Sequence, residues 1–374
     1  MKYCIRCLYP ETKPDIRFDE AGLCSACQNY DRRAQVDWAE RESKFIETVE
    51  KAWRKRGQPT VIVPVSGGKD STAQVVKCQE LGFRVLAINA RTDLLTPVGR
   101  RNLDNIGRLC DLVEFHPSDG VRRKIMRLAL QEVGDWSWPE HVLIHTVPFQ
   151  AAIKWQIPTI VFGELSQDEY GAGPSGSEDM QLMTRRYVEE FAGLLGLRVE
   201  DVQEILEVSD DDMAMYKFPS APVMQMIGIQ SIWLGRYFEW DGFENFQVAK
   251  KNGFESIEGH VEGSLYGYEN LDNYCTGARD YLRWVKYGYG RATDIASNHI
   301  RRGRLARSAA IAMIKDRDGA FPATYLGKHL DEIVAEIGLT VDDFINVADR
   351  FTNKDLFRMP LGNPGPIPLF QIGG

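Results

Sequence analysis

A short segment in the first third of the chain contains the residue types that bind phosphate groups. It consists of Ser66, Gly67, Gly68, Lys69, Asp70 and Ser71. Glycines allow backbone N–H groups to approach phosphate oxygens, serine hydroxyls add hydrogen-bond donors, and Lys69 brings a positive charge. The carboxylate of Asp70 is a candidate ligand for Mg²⁺. The segment therefore predicts a phosphate-binding loop, which we expect to be exposed.

The residues on either side of this loop predict that it joins a strand to a helix. The apolar run at 61–65 has the length of a buried parallel strand, and a helical pattern runs from near Ser71 to Gly82. A loop that opens a helix places an anion at the helix N-terminus, which favours negative charge. A glycine turn without a ligand is the alternative. A Walker loop is excluded, because its spacing G-x-x-x-x-G-K is absent.

Four of the seven cysteines lie in two Cys-x-x-Cys pairs within the first 27 residues. They are Cys4, Cys7, Cys24 and Cys27. Two such pairs can place four thiolates around one Zn²⁺ ion, with no position left for water, so a structural zinc site is expected. An iron–sulfur cluster is the alternative, because thiolates also suit iron. We interpret Cys78, Cys110 and Cys275 as small buried side chains.

Extended and helical patterns alternate downstream of the loop. Extended segments are expected at 84–89, 112–115, 159–162 and 227–234, and helices at 102–110, 121–133 and 149–155. This alternation predicts an α/β fold with a doubly wound, mainly parallel sheet. Most of the chain after residue 181 has a helical pattern.

The composition restricts the classes of ligand and location. The 374 residues are 44% hydrophobic and 26% charged, which is typical of a globular protein, and the net charge is -8. This charge argues against nucleic acid as the main ligand. No hydrophobic leader and no run of 18 apolar residues is present, so we expect a cytoplasmic protein with no membrane partner.

The phosphate loop resembles the S-G-G-x-D-S signature of the PP-loop ATP-pyrophosphatase superfamily, which has the adenine nucleotide alpha-hydrolase-like fold. The resemblance implies that the whole loop binds ATP and that Lys69 and Asp70 act in catalysis with Mg²⁺. ATP is then cleaved between its α and β phosphates, and an adenylated substrate forms. A nucleophile subsequently displaces AMP.

A second resemblance extends over nearly the full chain. It is carried by the cysteine pairs, the phosphate loop, Gly163-Glu164, the segment 169–171, and the segment 286–294 with the arginine-rich helix after it. These features resemble the N-acetyl sugar amidotransferase family, similar to the enzyme of bacterial lipopolysaccharide O-antigen biosynthesis that makes acetamidino sugars. The resemblance implies that ATP adenylates the N-acetyl carbonyl oxygen of a nucleotide-linked sugar, and that ammonia then displaces AMP.

The same resemblance implies partners that this chain does not contain. No arrangement of residues typical of a glutaminase is apparent in the sequence. Ammonia is therefore expected from a separate glutaminase subunit, together with a cyclase-like companion.

Further candidate site residues lie outside the loop. Glu164 and Glu169 are candidates for managing protons or Mg²⁺, although carboxylates at strand ends are often only solvated. Basic residues that could bind substrate or phosphate are Lys286, Arg291, Arg301 and Arg304. A solvated helix surface is the alternative for these.

We divide the chain into four parts on these grounds. They are a zinc-binding ribbon at 1–35, a connecting helix at 36–57, a PP-loop ATP-pyrophosphatase domain at 58–235 and a mainly helical substrate-side region at 236–374. Two other functions remain open, a PP-loop tRNA sulfurtransferase and a non-catalytic zinc-ribbon adaptor. The sulfurtransferase is disfavoured by the acidic net charge, and the adaptor by the intact loop.

Overall fold

The sheet at the centre of the molecule has five parallel strands. This computed structural model describes residues 1–165, 169–171, 183, 185, 189, 193–360 and 365–373. The strands are Thr60–Pro64 (β1), Arg84–Ala90 (β2), Asp111–Phe115 (β3), Thr159–Phe162 (β4) and Gln230–Trp233 (β5). Their order is β3-β2-β1-β4-β5. The order reverses between β1 and β4, and open α/β sheets bind ligands at such a reversal, beyond the carboxyl ends of the strands.

Two helices precede the sheet. They are Ser25–Arg33 (α1) and Trp38–Ala52 (α2). Helix α2 begins where Asp37 accepts a hydrogen bond from the N–H of Glu40 at 3.0 Å, a typical N-cap. Its apolar side chains Phe45 and Val49 are buried. The predicted connecting helix is thus present, and its apolar stripe holds it against the sheet domain.

Four helices follow strands of the sheet and cover it. They are Lys69–Glu80 (α3), Pro97–Leu109 (α4), Asp119–Val133 (α5) and Trp138–Trp155 (α6). Along β1, Ile62 faces the hydrophobic core that includes α5 and α6, whereas Val61 and Val63 face the core that includes α2, α3 and α4. All three side chains are fully buried. The sheet is therefore covered on both faces, which confirms the predicted doubly wound fold and explains why β1 is continuously apolar.

Helix α6 differs from its prediction because it begins at Trp138 rather than near residue 149. Pro139 lies in the first turn, where a missing N–H group is tolerated. Pro148 lies inside the helix, which continues past it to Trp155. Proline in a helix interior usually breaks the hydrogen bonding, and the predicted helix at 149–155 covers only the part after Pro148.

The other α-helices of the described residues follow β4 in the sequence. They are Val199–Leu206 (α7), Ala221–Ile227 (α8), Leu234–Tyr237 (α9), Gly242–Lys251 (α10), Thr276–Tyr287 (α11), Arg291–Arg301 (α12), Arg307–Ile314 (α13), Leu330–Ala335 (α14) and Val341–Phe351 (α15). Two short hairpins pair Thr324–Tyr325 with Lys328–His329 and Phe357–Arg358 with Ile367–Pro368.

The helical region after residue 236 is attached to the sheet domain on two sides. Its own core, which includes Leu282 and Phe344, also takes in Met126 and Leu130 from α5. On the other side, α10 packs along α3. The division of the chain into four parts stays a prediction, but these contacts fix the helical region beside the carboxyl end of the sheet. None of the described helices is both long and apolar enough to cross a bilayer.

Candidate active site at the carboxyl end of the sheet

A cavity of about 560 Å³ opens at the carboxyl ends of the strands, next to the reversal between β1 and β4. The phosphate loop, residues 66–71, forms one wall with the ends of β1, β2 and β4. Helix α6 and the helical region form the opposite wall. Lining residues on that opposite side include Glu140, His141, Glu269, Asp272, Arg279 and Arg291. The structure thus places the predicted phosphate loop in a cleft large enough for a nucleotide.

The loop itself makes a sharp turn that requires glycine. Gly67 has a φ of +90°, and a Cβ atom there would lie 2.9 Å from the backbone nitrogen of Leu103. Side chains are excluded by both the conformation and the close approach. Gly68 caps α3, and the residues of its first turn line the cavity. Because N–H groups in the first turn of a helix have no acceptor within it, they are available to phosphate oxygens.

Lys69 is buried and paired with two carboxylates, which differs from the exposed loop that we expected. Only 8% of the residue is exposed. Its ammonium group donates to Asp70 Oδ2 at 2.7 Å and to Glu269 Oε2 at 3.1 Å. Burial alone would lower the pKa of Lys69, but the two carboxylates raise it above its ordinary value. Lys69 is therefore a permanent cation that joins the loop to the helical region.

Asp70 is held from two sides. Its Oδ2 accepts the bond from Lys69, and its Oδ1 accepts a hydrogen bond from Asn245 Nδ2 at 2.8 Å. Asn245 lies on α10, so the contact between α10 and α3 also orients this carboxylate. About a third of the Asp70 side chain remains exposed, which leaves it accessible to a cation.

Glu164 lies just beyond the end of β4 and lines the cavity. Burial, with the nearby charges of Asp70 and Glu169, raises the pKa of Glu164 to about 7. The hydroxyl of Tyr170 donates to Glu164 Oε2 at 3.1 Å. A carboxylate with a pKa near neutrality can both accept and donate a proton under physiological conditions.

Glu169 lies at the edge of the site in a network of arginines. Its carboxylate is ion-paired with Arg33 and accepts hydrogen bonds from Arg302 Nη2 at 3.0 Å to each oxygen. It lines a smaller adjoining cavity of about 50 Å³, whose wall also includes Lys69 and Glu164. Glu169 is therefore near the loop, with its charge already neutralised.

The structure separates the four predicted basic residues. Arg291 lines both cavities, and Arg304 lines the smaller one, where it donates to Asp241 at 2.7 and 2.8 Å. Arg301 instead donates to the carbonyl oxygen of Glu169 and stacks over the ring of Tyr9. Lys286 lies elsewhere.

Lys286 binds the end of α5 and does not line either cavity. Its ammonium group donates to the carbonyl oxygens of Val133 and Gly134 at 2.7 and 3.0 Å. These are unsatisfied carbonyls of a helix C-terminus, where a cation is favourable. This contact fastens α11 to the sheet domain.

The four cysteines of the N-terminal pairs form one buried cluster. Their sulfur atoms all lie within 4.8 Å of one another, and all four side chains have no exposed surface. Cys4 and Cys27 sulfurs are 3.8 Å apart, and those of Cys7 and Cys24 are 3.6 Å apart. Tetrahedral coordination with Zn–S bonds of about 2.3 Å separates sulfurs by about 3.8 Å. The cluster has the donor set and spacing of a metal site.

Helix α1, which begins after Cys24, also contacts the segment that carries Tyr170. Ser25 Oγ donates to the carbonyl oxygen of Gly171 at 2.8 Å. Gly171 has a φ of +66°, and a Cβ atom there would collide with the backbone nitrogen of Ala26. Because Tyr170 donates to Glu164, the cysteine cluster is connected to the cavity through a short chain of contacts.

Several residues of the site were not found from the sequence, namely the lining residues Glu140, His141, Glu269, Asp272 and Arg279 and the Asp70 partner Asn245. They share no motif with the loop, and Glu269 is separated from Lys69 by 200 positions. A weak signal was the density of charged and aromatic residues at 262–294.

The sequence comparisons match part of the helical region. Residues 262–360 match the family model of the C-terminal domain of WbpG-like lipopolysaccharide biosynthesis proteins. This range includes Glu269, Asp272, Arg279 and Arg291 on the cavity wall. Among proteins with curated functions, no relative matches the chain.

The comparison with solved structures includes three proteins that are each 12% identical to this chain with a TM-score of 0.27. The match with the NH3-dependent NAD synthetase of Campylobacter jejuni covers 59% of this chain and 99% of the synthetase chain. The NAD+ synthetase of Burkholderia pseudomallei covers 63% and 94%. The U34-tRNA thiolase NcsA of Methanococcus maripaludis, with its 4Fe-4S cluster, covers 69% and 90%. TM-scores this low support no conclusion about function.

Glu164→Gln should remove a pH dependence of stability. The pKa of Glu164 is about 7 in the folded protein, against about 4.3 in an unfolded chain. The folded state therefore binds this proton more tightly than the unfolded state does. The free energy of unfolding falls as the pH rises from about 4.3 to about 7, and it levels off above about 7. Between pH 5 and pH 8, we expect the free energy of unfolding of the wild type to fall by about 1–3 kcal/mol more than that of Glu164→Gln, as measured by urea unfolding. An exposed control, Glu47→Gln, should behave as wild type; a Glu164→Gln slope equal to the wild-type slope would contradict the assignment.

Gly171→Ala should weaken the contact between the cysteine ribbon and the segment 169–171. The added methyl group meets the backbone of Ala26, whereas Gly259, with a φ of +76°, has nothing within 4 Å of an added Cβ. Gly259→Ala therefore measures backbone strain alone. We expect Gly171→Ala to reduce the free energy of unfolding by about 1–3 kcal/mol more than the control in denaturant titrations. Equal losses for the two variants would show that the contact is unimportant.

Proposed function

We propose that this chain, whose residues 262–360 match the family model of the C-terminal domain of WbpG-like lipopolysaccharide biosynthesis proteins, is an ATP-dependent, AMP-forming amidotransferase. It adenylates the N-acetyl carbonyl oxygen of a nucleotide-linked acetamido sugar and releases pyrophosphate. Ammonia then displaces AMP and leaves an acetamidino group. The reaction belongs to bacterial O-antigen biosynthesis.

One observation carries this proposal: the phosphate loop and the WbpG-like region form opposite walls of the same cavity. Lys69 of the loop bonds to Glu269 of that region at 3.1 Å. Arg291, also of that region, lines the cavity with the loop. A site for ATP and a site for a sugar of lipopolysaccharide biosynthesis would thus be contiguous, as direct transfer of the adenylyl group requires.

In the adenylation step, the phosphate loop would bind the departing pyrophosphate. The carbonyl oxygen of the acetamido group attacks the α-phosphorus, and the bond between the α-phosphorus and the bridging oxygen of the β-phosphate breaks. Backbone N–H groups at the start of α3 and the ammonium of Lys69 would hold the oxygens of the pyrophosphate as charge develops there. The acetamido carbon is left bonded to an adenylated oxygen, which is a good leaving group.

The cluster of carboxylates beside Lys69 fits a Mg²⁺ ion. Asp70, Glu164 and Glu269 all line the cavity, and burial raises the pKa values of Glu164 and Glu269. Repulsion from Asp70 adds to both rises, and a bound cation would relieve it. When bound, Mg²⁺ would neutralise charge on the triphosphate. Asp70, whose side chain is about a third exposed, is the residue that would hold it.

The second step needs a base near the attacking nitrogen. Ammonia adds to the adenylated carbon, the nitrogen loses a proton, and the carbon–oxygen bond to AMP breaks. Glu164 has a pKa of about 7. In those protein molecules in which its carboxyl group is deprotonated, Glu164 is suited to accept that proton. The original carbonyl oxygen leaves on the phosphate of AMP.

The cysteines support a separate source of ammonia. All seven lie in the described part of the chain, and four of them form the N-terminal cluster. Burial raises the pKa of Cys78 to about 12 and that of Cys110 to about 11, and it raises the pKa of Cys275 as well. A nucleophilic cysteine needs a lowered pKa. We therefore extend the proposal to a partner glutaminase with a cyclase-like companion. The same raised pKa values count against a thiolating enzyme that uses one of these three cysteines.

For the cysteine cluster we propose one structural Zn²⁺ ion. Four buried sulfurs within 4.8 Å of one another suit a single ion. An iron–sulfur cluster holds several iron atoms between its cysteines, so its ligating sulfurs would be farther apart. A closed site of four thiolates has no open position for substrate, and its role would be to fix α1.

Lys69→Met should abolish turnover. The variant removes the cation nearest the loop, and loss of such a stabilising group lowers rates by about 100-fold or more. Pyrophosphate release should be measured with ATP, acetamido nucleotide sugars and ammonium, each omitted in turn. Lys51→Met, at an exposed position on α2, is the matched control and should retain wild-type rates. Release that does not depend on sugar or ammonium would contradict the proposed function.

Metal analysis should find one zinc ion per chain. Purified protein would be examined by elemental analysis and by visible absorption, in which iron–sulfur clusters give colour. Cys24→Ser should lose the metal and lower the thermal midpoint of unfolding, because metal binding is coupled to folding. Iron with acid-labile sulfide in stoichiometric amounts would contradict the zinc assignment.

A further inference from the structure

One part of the cavity contains charged side chains that the adenylation chemistry does not use. Glu140 and His141 of α6 line it from one side. Asp272, just before α11, and Arg279, on α11, line it from the other side. Buried charges need partners or ligands, because isolated charge in a protein interior is unfavourable. This cluster therefore suggests a second ligand beside ATP.

Arg279 is the residue in this cluster that lacks a partner. It is partly exposed to the cavity, and within the described part of the chain its guanidinium makes no hydrogen bond and no ion pair. Lys69, by contrast, is paired with Asp70 and Glu269 at 2.7 and 3.1 Å. Arg279 thus has its full set of five N–H donors available.

The acids near Arg279 are already occupied or weakened. Glu140 accepts a hydrogen bond from Asn273 Nδ2 at 2.7 Å. Burial raises the pKa of Glu140 well above its ordinary value and also raises that of Asp272. Asp93 is ion-paired with Arg122. Among the described residues, no carboxylate lies within ion-pair distance of the Arg279 guanidinium, so this cation lines the cavity unpaired.

Arg291 adds a second cation on the same wall. Its Nε is buried without a hydrogen-bond partner, and the nearest carboxylate oxygen, of Asp280, is 3.7 Å away. The backbone around it is fixed, because the carboxylate of Asp318 accepts hydrogen bonds from the N–H groups of Gly290 and Ala292 at 2.8 and 3.0 Å. Arg291 is thus positioned before any ligand arrives.

Arg279 and Lys69 line the cavity from different elements, Arg279 from α11 and Lys69 from the start of α3. Lys69 is paired with Asp70 and Glu269. The cavity is therefore lined by one cation at the phosphate loop and by another on the helical region.

We infer that Arg279, with Arg291 also lining the cavity, binds a phosphate group of the second substrate, so that the site accepts phosphate-linked acetamido sugars and discriminates against the free sugar. A guanidinium fork matches two phosphate oxygens, which gives both binding and orientation. The inference rests on the proposed function and adds to it the residue that selects the substrate class.

Chemical modification tests this inference without knowing the sugar. The full-length protein is treated with phenylglyoxal, which reacts with free guanidinium groups, and the rate at Arg279 is followed by peptide mass spectrometry. The probes are the uncleavable analogue α,β-methylene ATP with Mg²⁺, and inorganic phosphate at matched ionic strength. With the analogue bound, added phosphate should slow the modification of Arg279 by about fivefold or more.

Two outcomes of this experiment would overturn the inference. The first is full protection of Arg279 by the analogue alone, which would assign the residue to ATP. The second is no protection by phosphate. Binding of the analogue is followed separately by its effect on the thermal midpoint. If the analogue does not bind, the proposed function fails, and protection by phosphate alone still decides the role of Arg279.

Variants give an independent test in turnover. Arg279→Met should raise KM for an acetamido nucleotide sugar about tenfold or more while KM for ATP stays within about twofold. Arg279→Lys, which keeps the charge but loses the fork, should give an intermediate KM. Arg108→Met, at an exposed position on α4, makes the same chemical change and should match wild type. An equal rise in KM for ATP, or no rise for the sugar, would contradict the inference.

Discussion

The buried ammonium group of Lys69 is the interaction on which the arrangement of the site depends. It comes from a loop of the sheet domain, and one of its partners, Glu269, comes from the helical region 200 positions later. An unpaired charge in this position would be strongly unfavourable, so the phosphate loop and the helical region must meet for the loop to be stable as it stands. The pairing fixes the two walls of the cavity relative to each other.

Other contacts reinforce this closure at different points. Asn245 of α10 holds Asp70 from the side opposite Lys69. Lys286 fastens α11 to the end of α5, so a residue outside the cavity still determines where Arg279 stands. On a third side, α1 of the cysteine ribbon holds the segment with Tyr170 against Glu164. Three separate parts of the chain therefore converge on the reversal point of the sheet.

The features that the sequence predicted well are those set by local patterns. Strand β1, the glycine turn after it and the four cysteines depend on neighbouring residues or on fixed short spacings, and the structure confirms all of them. The burial of Lys69 could not be predicted, because a lysine in a loop is usually exposed and its partner lies far along the chain. The place of Lys286 could not be predicted for a similar reason. Its partners are backbone carbonyls of another helix, and any helix end offers such groups. Arg279 had no motif around it, and only its position on the cavity wall distinguishes it.

Transfer of a labelled oxygen tests the proposed chemistry most directly. An acetamido nucleotide sugar carrying ¹⁸O in its acetyl carbonyl would be incubated with the protein, ATP, Mg²⁺ and ammonium, and the AMP would be analysed by mass spectrometry. Adenylation of the carbonyl oxygen followed by attack of ammonia predicts that the heavy oxygen appears in AMP while the sugar gains nitrogen. AMP without the label, formed at the same rate as pyrophosphate, would contradict the proposed function.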